Sequence, residues 1–483
     1  MKRLAGPIAI VLAVLALANV AQAYDAKPWL EDLQQARAAF ATKYANLEWA
    51  VFVREAYLDA MFRDAAGRIG RASDDAEARA AFDRLARRLG DGHVEFRWPA
   101  PAAGGGAAAA QSLCARLGYD ARYAGPPLAA LAPGYRPLSG GPPEFPAGVL
   151  TVSGRKVGVL RIGEFSVDDA PALCEAAAGA LGVTDQDPCN DACADRLQTW
   201  AYAKLTRDLE DRLGQLKAAG AGILLIDIAG NGGGSEWVEA AVRMVTSVRL
   251  KAERMGFVRG PHWAERLARR GAALRDAAAT ATGADRALLL RLADEVEAAR
   301  QVALQRCDSE PLWQGRRPGC AWLGQGFYAT GLLASAAPTT FQGKDWGEAV
   351  FEPSKFPYRE GVWRGPTAVL VDGDTASAAE EFAAELRDNH AAVVIGAPTS
   401  GAGCGHTDGG APTTLTHSGG VLSLPDCVRW RADGSNEVEG VQPDVLVGLR
   451  ANNGPRRNAE LVMRKLPEAL RQAVALRPAG VRP

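Results

Sequence analysis

Residues 367–388 constrain the fold most, because an apolar strand passes there through a short turn into a helix. The run from Ala368 to Val371 is apolar and β-branched, as in a buried parallel strand, and later apolar residues follow helical spacing. Ser377 ends the intervening turn, residues 372–377, here called the serine turn. Its hydroxyl would lie beside N–H groups that the first helical turn leaves unpaired. This position suits oxyanion binding, although Ser377 or Thr375 could instead be a simple helix N-cap.

A second strand-to-helix turn occurs earlier in the chain. Residues 223–228 are apolar except for Asp227, and residues 229–235, here called the glycine turn, contain four glycines. Glycines let the backbone approach another group closely and direct several N–H groups to one side. The spacing matches neither a P-loop nor a dinucleotide-binding fingerprint. The turn is therefore either an anion-binding element or an ordinary tight turn.

The first residues predict export. A basic start at Lys2 and Arg3 precedes an apolar run over residues 8–20 and the small-residue segment Ala21-Gln22-Ala23. This pattern is typical of a signal peptide, residues 1–23, so we expect a periplasmic or secreted protein. No later stretch is long and apolar enough to span a membrane. The formal net charge of −1 becomes −3 without the two basic residues, which gives no electrostatic case for nucleic acid.

The chain contains eight cysteines, an even number, in a sequence that we expect to be exported. Disulfides are then favoured over metal ligation or a catalytic thiol. Cys307 with Cys320 and Cys404 with Cys427 are the first pairs to consider, because each would close a short loop, but the sequence leaves the connectivity open. We expect neither a metal nor another cofactor.

The remaining patterns suggest a division of the chain after the signal peptide. Helical spacing over residues 24–97 predicts an N-terminal helical domain, and Pro and Gly mark a linker region over residues 98–147. Residues 148–450 would form the core, with helical insertions at about 169–220 and 262–304. A C-terminal helix and tail, residues 451–483, would complete the chain.

Several sequence blocks resemble those of one peptidase family. In chain order they are a Gly-Asp-Gly-His turn, the strand and glycine turn at 226–234, Thr-Ala-Ser-Ala-Ala-Glu at 375–380 and Glu-Gly-Val-Gln-Pro-Asp at 439–444. Their order is similar to that of the carboxy-terminal processing, or tail-specific, serine peptidases, and in particular their tricorn-like branch. In these blocks Ala229 stands where Arg is usual, Gly92 stands where the branch has Ser, and the last block is one residue short. The resemblance implies an α/β (α+β) fold, a ClpP/crotonase-like core of stacked ββα units with an N-terminal helical domain.

The resemblance also implies roles for individual residues. Ser377 would be the nucleophile, and the loop that carries a general-base lysine in related proteases has Ala402 instead. The base would then be His93, oriented by Glu439, with His406 as the fallback base. A serine hydroxyl needs such a base, because it is otherwise a poor nucleophile. The predicted oxyanion hole consists of backbone N–H groups from Ala378, Gly232 and Gly233.

The leading hypothesis is an exported serine endopeptidase that acts on peptide or protein substrates. Two alternatives stay open. The altered positions at Ala229, Gly92 and Ala402 are compatible with an inactive peptide-binding protein on the same fold. An esterase or amidase could use the same serine, because the acyl-transfer chemistry is shared. The sequence does not define the oligomeric state.

Overall fold

The computed structural model describes residues 24–99, 111–121, 125–337, 340–450 and 452–476, and the predicted signal peptide lies outside them. Within these ranges the chain forms 14 α-helices, 13 strands and four short 3-10 segments. The helices are α1 Lys27–Lys43, α2 Leu47–Phe52, α3 Leu58–Ile69, α4 Asp75–Leu89, α5 Leu113–Arg116, α6 Pro171–Leu181, α7 Asp191–Ala218, α8 Val238–Met244, α9 Pro261–Thr280, α10 Gly283–Leu304, α11 Glu310–Trp313, α12 Gly347–Val350, α13 Ala378–Asp388 and α14 Pro455–Ala475. The strands are β1 Glu95–Arg97, β2 Arg136–Pro137, β3 Ala147–Val152, β4 Arg155–Arg161, β5 Ile223–Asp227, β6 Arg254–Val258, β7 Leu323–Tyr328, β8 Thr367–Val371, β9 Val393–Gly396, β10 Thr413–Thr414, β11 Val421–Ser423, β12 Cys427–Trp430 and β13 Val445–Leu446.

The largest sheet has seven strands in the order β13-β9-β8-β5-β4-β3-β2. Its strands from β13 to β4 run parallel, and β3 and β2 add antiparallel pairs at one edge. Leu225 of β5 lies opposite Ala368 of β8, so the two predicted strands are direct neighbours. Parallel neighbours end at the same edge of a sheet, which brings the glycine turn and the serine turn together. The predicted α/β fold class is confirmed.

Helices cover both faces of this sheet, which explains why its strands are apolar throughout. Leu224 and Ile226 face a cluster that includes residues of α7, α8 and α13. Ile223 and Leu225 face the opposite way, toward α14. Alternate residues of a strand point to opposite faces, so a strand buried on both sides has no polar alternation. The sandwiched sheet gives the two turns a rigid support.

The N-terminal helices share a core with later parts of the chain. Trp29, Phe62 and Trp263 belong to one buried cluster, and Phe62 packs on Trp313 at 5.3 Å between ring centroids. This cluster also includes the small sheet β12-β6-β7 and the hairpin of α9 with α10. Aromatic residues from the second half of the chain belong to the same cluster and serve as core packing: Trp313, Trp322, Phe327, Phe341 and Phe351. The division into domains predicted from the sequence stays a prediction.

Four disulfides join all eight cysteines. The two pairs considered first, Cys307–Cys320 and Cys404–Cys427, are confirmed. The remaining pairs are Cys114–Cys174 and Cys189–Cys193. Within the part of the chain that the structure describes, no helix combines the length and apolar character of a membrane span.

Candidate active site

The serine turn leads from β8 to α13 and carries Ser377 at the N-cap position of that helix. Ser377 has φ of 56° and ψ of −125°, a conformation that residues with a side chain rarely adopt. Thr375 holds the turn, because its buried hydroxyl donates to the Ile228 carbonyl at 3.2 Å and accepts the Asp372 N–H at 3.0 Å. Ser377 therefore does occupy a capping position, and its strained backbone calls for a reason beyond capping.

His93 lies between α4 and β1, in a turn that a buried carboxylate shapes. The carboxylate of Asp91 accepts the His93 N–H at 3.0 Å, the Tyr44 hydroxyl at 3.0 Å and the Asn46 amide at 2.9 Å. Burial raises the pKa of Asp91, while these three hydrogen bonds favour its charged form. The turn is thus fixed by groups that lie far apart in the sequence.

The structure brings Ser377 and His93 together although 284 positions separate them in the sequence. Nε2 of His93 lies 3.2 Å from Oγ of Ser377, and Nδ1 is hydrogen-bonded to the carbonyl oxygen of Ala402. A carbonyl only accepts, so Nδ1 carries the proton and Nε2 is left to accept one. Burial lowers the pKa of His93, and the bond to Ala402 acts in the opposite direction. A neutral imidazole facing the serine can act as a general base.

The loop over residues 399–406 encloses the imidazole. Ala402 supplies the carbonyl, and a Cβ built on Gly405 would lie 2.9 Å from Cε1 of His93, so only glycine fits there. The ring of His406 packs edge-on against that of His93 at 5.4 Å between centroids. The Cys404–Cys427 disulfide ties the loop to β12. His406 is thus a neighbour of the predicted base, with no hydrogen bond to Ser377 among the described residues.

The sequence predicted that Glu439 orients His93, but the described residues include no hydrogen bond between these two side chains. The side chain of Glu439 is exposed, and within the described ranges its carboxylate makes no hydrogen bond or ion pair. The Ala402 carbonyl occupies Nδ1, the ring atom that an orienting carboxylate would bind. Glu437, two residues earlier, is buried and ion-paired with Arg429. Of these two residues, Arg429 lowers the pKa of His93 and Glu437 raises it.

The glycine turn passes directly behind the serine. Gly233 has φ of 113°, and a Cβ at this position would lie 2.6 Å from Cβ of Ser377 and 2.9 Å from the Ala378 nitrogen. Its carbonyl accepts the Phe165 N–H at 2.7 Å, which holds the turn against the segment that follows β4. A side chain at Gly233 would collide with the serine, so this glycine is a steric requirement of the site.

The predicted oxyanion-hole donors are not equivalent. The N–H of Gly233 already donates to Oδ1 of Asn231 at 2.8 Å. In contrast, the N–H groups of Gly232 and Ala378 have no protein acceptor among the described residues. Gly232 and Ser377 line the same cavity, and Ala378 begins α13, where the helix dipole favours negative charge. Gly232 and Ala378 are the two groups free to bind an oxyanion.

Ser377 and His93, here called the dyad, lie at a cavity of about 640 Å³. His93, Ser377 and Gly232 are among the residues that line it. Carboxylates form much of the rest, contributed by Glu164, Asp168, Asp169 and Asp195. The cavity is large enough for several residues of an extended peptide, and its volume lies within the range of ligand pockets.

Three groups that shape the site were not predicted from the sequence, because they act through the backbone or through buried contacts. The Ala402 carbonyl carries no side-chain signal, and Asn231 resembled an ordinary turn residue. Glu380, which accepts the Ser377 N–H at 3.0 Å, was visible only as part of a motif. The capping-box spacing from Ser377 to Glu380 was the one signal that could have found it.

Comparisons with known proteins show the family and the fold. The model of Peptidase family S41 matches residues 156–447, a range that includes Ser377 but not His93. No curated protein matches the sequence. The crystal structure of mature CPAF is similar, with a TM-score of 0.59 and 15% identity over 94% of this chain and 99% of that chain.

A second similar structure is mature CPAF complexed with lactacystin, at a TM-score of 0.56 and 15% identity over 93% of this chain and 99% of that chain. The tricorn protease is less similar, with a TM-score of 0.33 and 12% identity over 92% of this chain and 37% of that chain. Identities this low describe the fold alone. The family match extends over more than half of the sequence, and on this basis the chain belongs to Peptidase family S41, a family of serine peptidases.

Proposed function

We propose that the protein is an exported serine endopeptidase in which Ser377 is the nucleophile and His93 the general base. The observation that carries the proposal is the 3.2 Å contact between His93 Nε2 and Ser377 Oγ, together with the Nδ1 proton directed at Ala402. This arrangement has the base, the orienting acceptor and the nucleophile that acyl transfer requires. Family membership supports the peptidase class independently.

In the first half of the reaction, the Ser377 proton moves to Nε2 while Oγ attacks the carbonyl carbon of the scissile bond. The resulting oxyanion accepts hydrogen bonds from the N–H groups of Gly232 and Ala378. The imidazolium then gives its proton to the leaving amine, and an acyl-enzyme remains on Oγ. The Ala402 carbonyl stabilises the imidazolium, since it accepts the Nδ1 proton throughout. Water, activated by His93, hydrolyses the acyl-enzyme.

In this proposal the Ala402 carbonyl takes the orienting role that the sequence predicted for Glu439. Aspartate or glutamate usually orients the histidine of a serine peptidase, but a carbonyl can fix the same tautomer. Replacement of Glu439 by Gln should therefore change kcat by less than about 3-fold, on the scale of roughly 1.4 kcal/mol for each 10-fold change in rate. A loss of several hundred-fold would return the role to Glu439.

The test of the nucleophile is labelling with a serine-directed fluorophosphonate, followed by mass-spectrometric mapping of the adduct. We expect one adduct, on Ser377, and none in Ser377→Ala. A peptide blocked at both ends should be cleaved by the wild-type protein, as expected of an endopeptidase. A folded protein that takes no label would favour the peptide-binding alternative. Hydrolysis of a nitrophenyl ester without cleavage of any peptide would favour the esterase.

We also propose that the chain reaches an oxidising compartment. The four disulfides support this, because such bonds persist in the periplasm and outside the cell. When the full chain is expressed in bacteria that export proteins and remove signal peptides, we expect a mature protein that begins at Tyr24. An intact N-terminus in the cytoplasmic fraction would contradict the prediction.

A further inference from the structure

Glu380 is a fully buried carboxylate that no step of the proposed reaction uses. It lies on the first turn of α13, three residues after the nucleophile. Oε2 accepts the N–H of Ser377 at 3.0 Å and the N–H of Ala402 at 2.7 Å. Oε1 accepts the N–H of Gly401 at 2.8 Å and the hydroxyl of Thr399. Both oxygens are therefore occupied by two donors each.

These donors connect the two halves of the dyad. Ser377 carries the hydroxyl, and Ala402 carries the carbonyl that holds Nδ1 of His93. A single oxygen of Glu380 binds the backbone N–H of both residues. The position of the base relative to the nucleophile thus depends on a bridge through one carboxylate.

Helix capping alone does not account for this bridge. Glu77 stands at the equivalent position in the first turn of α4, where its carboxylate accepts the N–H of Ser73 at 2.8 Å and the Ser73 hydroxyl. Glu77 is exposed, and among the described residues its carboxylate binds nothing outside its own helix start. Glu380 makes a comparable local bond, to the N–H of its own N-cap residue three positions earlier, and adds three donors from a loop 19 to 22 residues further along the chain.

The bridge continues beyond the loop. The Thr399 hydroxyl donates to Glu380 and accepts the Val441 N–H at 2.7 Å. A Cβ on Gly401 would lie 2.5 Å from the carbonyl oxygen of Val438, so the loop is wedged against the 437–441 segment. The carboxylate is therefore the point where the helix, the loop and this segment meet.

We propose that Glu380 is a positioning residue that keeps Ser377 and His93 in register by binding the backbone of the nucleophile and of Ala402 at once. The proposal rests on the proposed function for its kinetic consequences. A charged acceptor bound to buried N–H groups forms stronger and shorter hydrogen bonds than a neutral one. Such a bridge fixes geometry on the scale that general-base catalysis requires, since a misplacement of about 1 Å can cost roughly 100-fold in rate.

The test variant is Glu380→Gln, which keeps the side-chain volume but replaces one acceptor oxygen by an NH2 group. That group would face two N–H or O–H donors, so one half of the bridge must open. We expect kcat to fall by about 10- to 100-fold with KM changed by less than about 3-fold. Glu77→Gln is the matched control, and we expect it to keep the wild-type kcat.

A second measurement reads the histidine directly and does not depend on turnover. In nitrogen-15 NMR of imidazole-labelled protein, His93 should be the Nδ1–H tautomer in the wild type. In Glu380→Gln we expect a mixture of tautomers, because the Ala402 carbonyl moves from Nδ1. The acid limb of the pH profile should shift with it, to lower pH. Loss of the bond to Ala402 removes an interaction that raises the pKa of His93.

The outcomes separate this proposal from the proposed function. Unchanged kcat and an unchanged His93 tautomer in Glu380→Gln would overturn the positioning role even in an active enzyme. If the wild-type protein has no peptidase activity and the His93 tautomer still changes in Glu380→Gln, the result would support the positioning role and count against the proposed function. If Glu380→Gln does not fold, Glu380→Asp is measured instead. This variant keeps the charge but is too short for both donor sets, so an unchanged kcat and tautomer there would also overturn the proposal.

Discussion

The glycine turn and the serine turn have the same topology but opposite requirements. Each follows one of two neighbouring parallel strands, β5 and β8, and each leads to a helix that starts at the same sheet edge. The glycine turn reaches positive φ at Gly233 and Gly234, where no side chain could be tolerated. The serine turn reaches positive φ at Ser377, where the side chain supplies the hydroxyl that faces His93. One turn makes space by omitting atoms, and the other uses that space to present a hydroxyl.

The two turns are also tied to each other. The Ala376 N–H donates to the Asn231 carbonyl at 2.9 Å, and the Gly230 N–H donates to the Asp372 carboxylate at 2.7 Å. The free N–H groups of Gly232 and Ala378 therefore keep a fixed separation. A shared oxyanion hole needs this kind of rigidity, because its donors must be in place before charge develops. Changes to either turn should therefore affect the other.

The largest effect is expected from Gly233→Val. The added side chain would overlap the Ser377 Cβ, so Ser377 must move away from His93. We expect turnover to fall by at least about 10³-fold, comparable to or beyond the loss of one oxyanion-hole donor. Steady-state cleavage of a blocked peptide measures this loss. On sequence grounds the loss would come from the oxyanion hole, where Gly232 and Gly233 were both predicted donors. In the structure the Gly233 N–H binds Asn231, and the loss comes from steric overlap.

Gly230→Ala is the matched control in the same turn. Gly230 also has positive φ, at 74°, but a Cβ there meets nothing within 4 Å. The variant should lose stability by about 1 kcal/mol and keep most of its turnover. If Gly230→Ala were as inactive as Gly233→Val, the glycine turn would matter for its backbone conformation and not for the space behind Ser377.

The next effect tests whether the serine turn depends on His93. His93→Ala should lower kcat by roughly 10²- to 10⁴-fold, the usual contribution of a general base. His406→Ala removes a ring that packs on His93 without reaching Ser377, so we expect a loss of less than about 10-fold. Parallel assays with the same peptide compare the two. An active His93→Ala enzyme with an inactive His406→Ala enzyme would reverse the assignment.

A smaller effect concerns pH. Burial lowers the pKa of His93 from its ordinary value of 6.5. The base must be neutral to accept the serine proton, and the neutral form predominates above the pKa. The rate, measured as kcat/KM, should therefore rise with pH through a midpoint below 6.5 and stay level around neutral pH. A midpoint well above 7 would show that the base is less buried than the structure indicates, or that another group takes the proton.

The sequence predicted the elements that side chains and spacing reveal, and it missed those that depend on tertiary contacts. The apolar run before Ser377 and the glycines at 230–234 located both turns, but the pairing of their strands became known only from the structure. The resemblance assigned the orienting role to Glu439 and gave no sign of Glu437 or of the Ala402 carbonyl, because block resemblance cannot distinguish exposed from buried residues two positions apart. A backbone carbonyl that is aimed by a loop and a disulfide leaves no pattern in one sequence. The positive φ of Ser377 is invisible for the same reason.

The smallest expected effect measures what the serine turn costs in stability. A residue with a Cβ in the Ser377 conformation carries strain of about 1–3 kcal/mol, and Ser377→Ala keeps that strain. Ser377→Gly removes it but gains flexibility in the unfolded chain, which costs roughly 0.5–1 kcal/mol. We therefore expect Ser377→Gly to be more stable than Ser377→Ala by about 1 kcal/mol in urea unfolding, with both inactive.

Ser153 provides the control for this stability prediction, since it also has positive φ, at 49°. It lies in the turn between β3 and β4, at the sheet edge opposite the glycine turn and the serine turn. Ser153→Gly should exceed Ser153→Ala in stability by a similar amount and leave turnover unchanged. Equal stability of the two Ser377 variants, with a clear difference at Ser153, would mean that the backbone of Ser377 is unstrained. The strain at Ser377 would then be absent, and the contrast between the two turns would rest on the steric argument at Gly233 alone. A difference at both positions would mean instead that the fold sustains strain at the one residue whose hydroxyl must face His93.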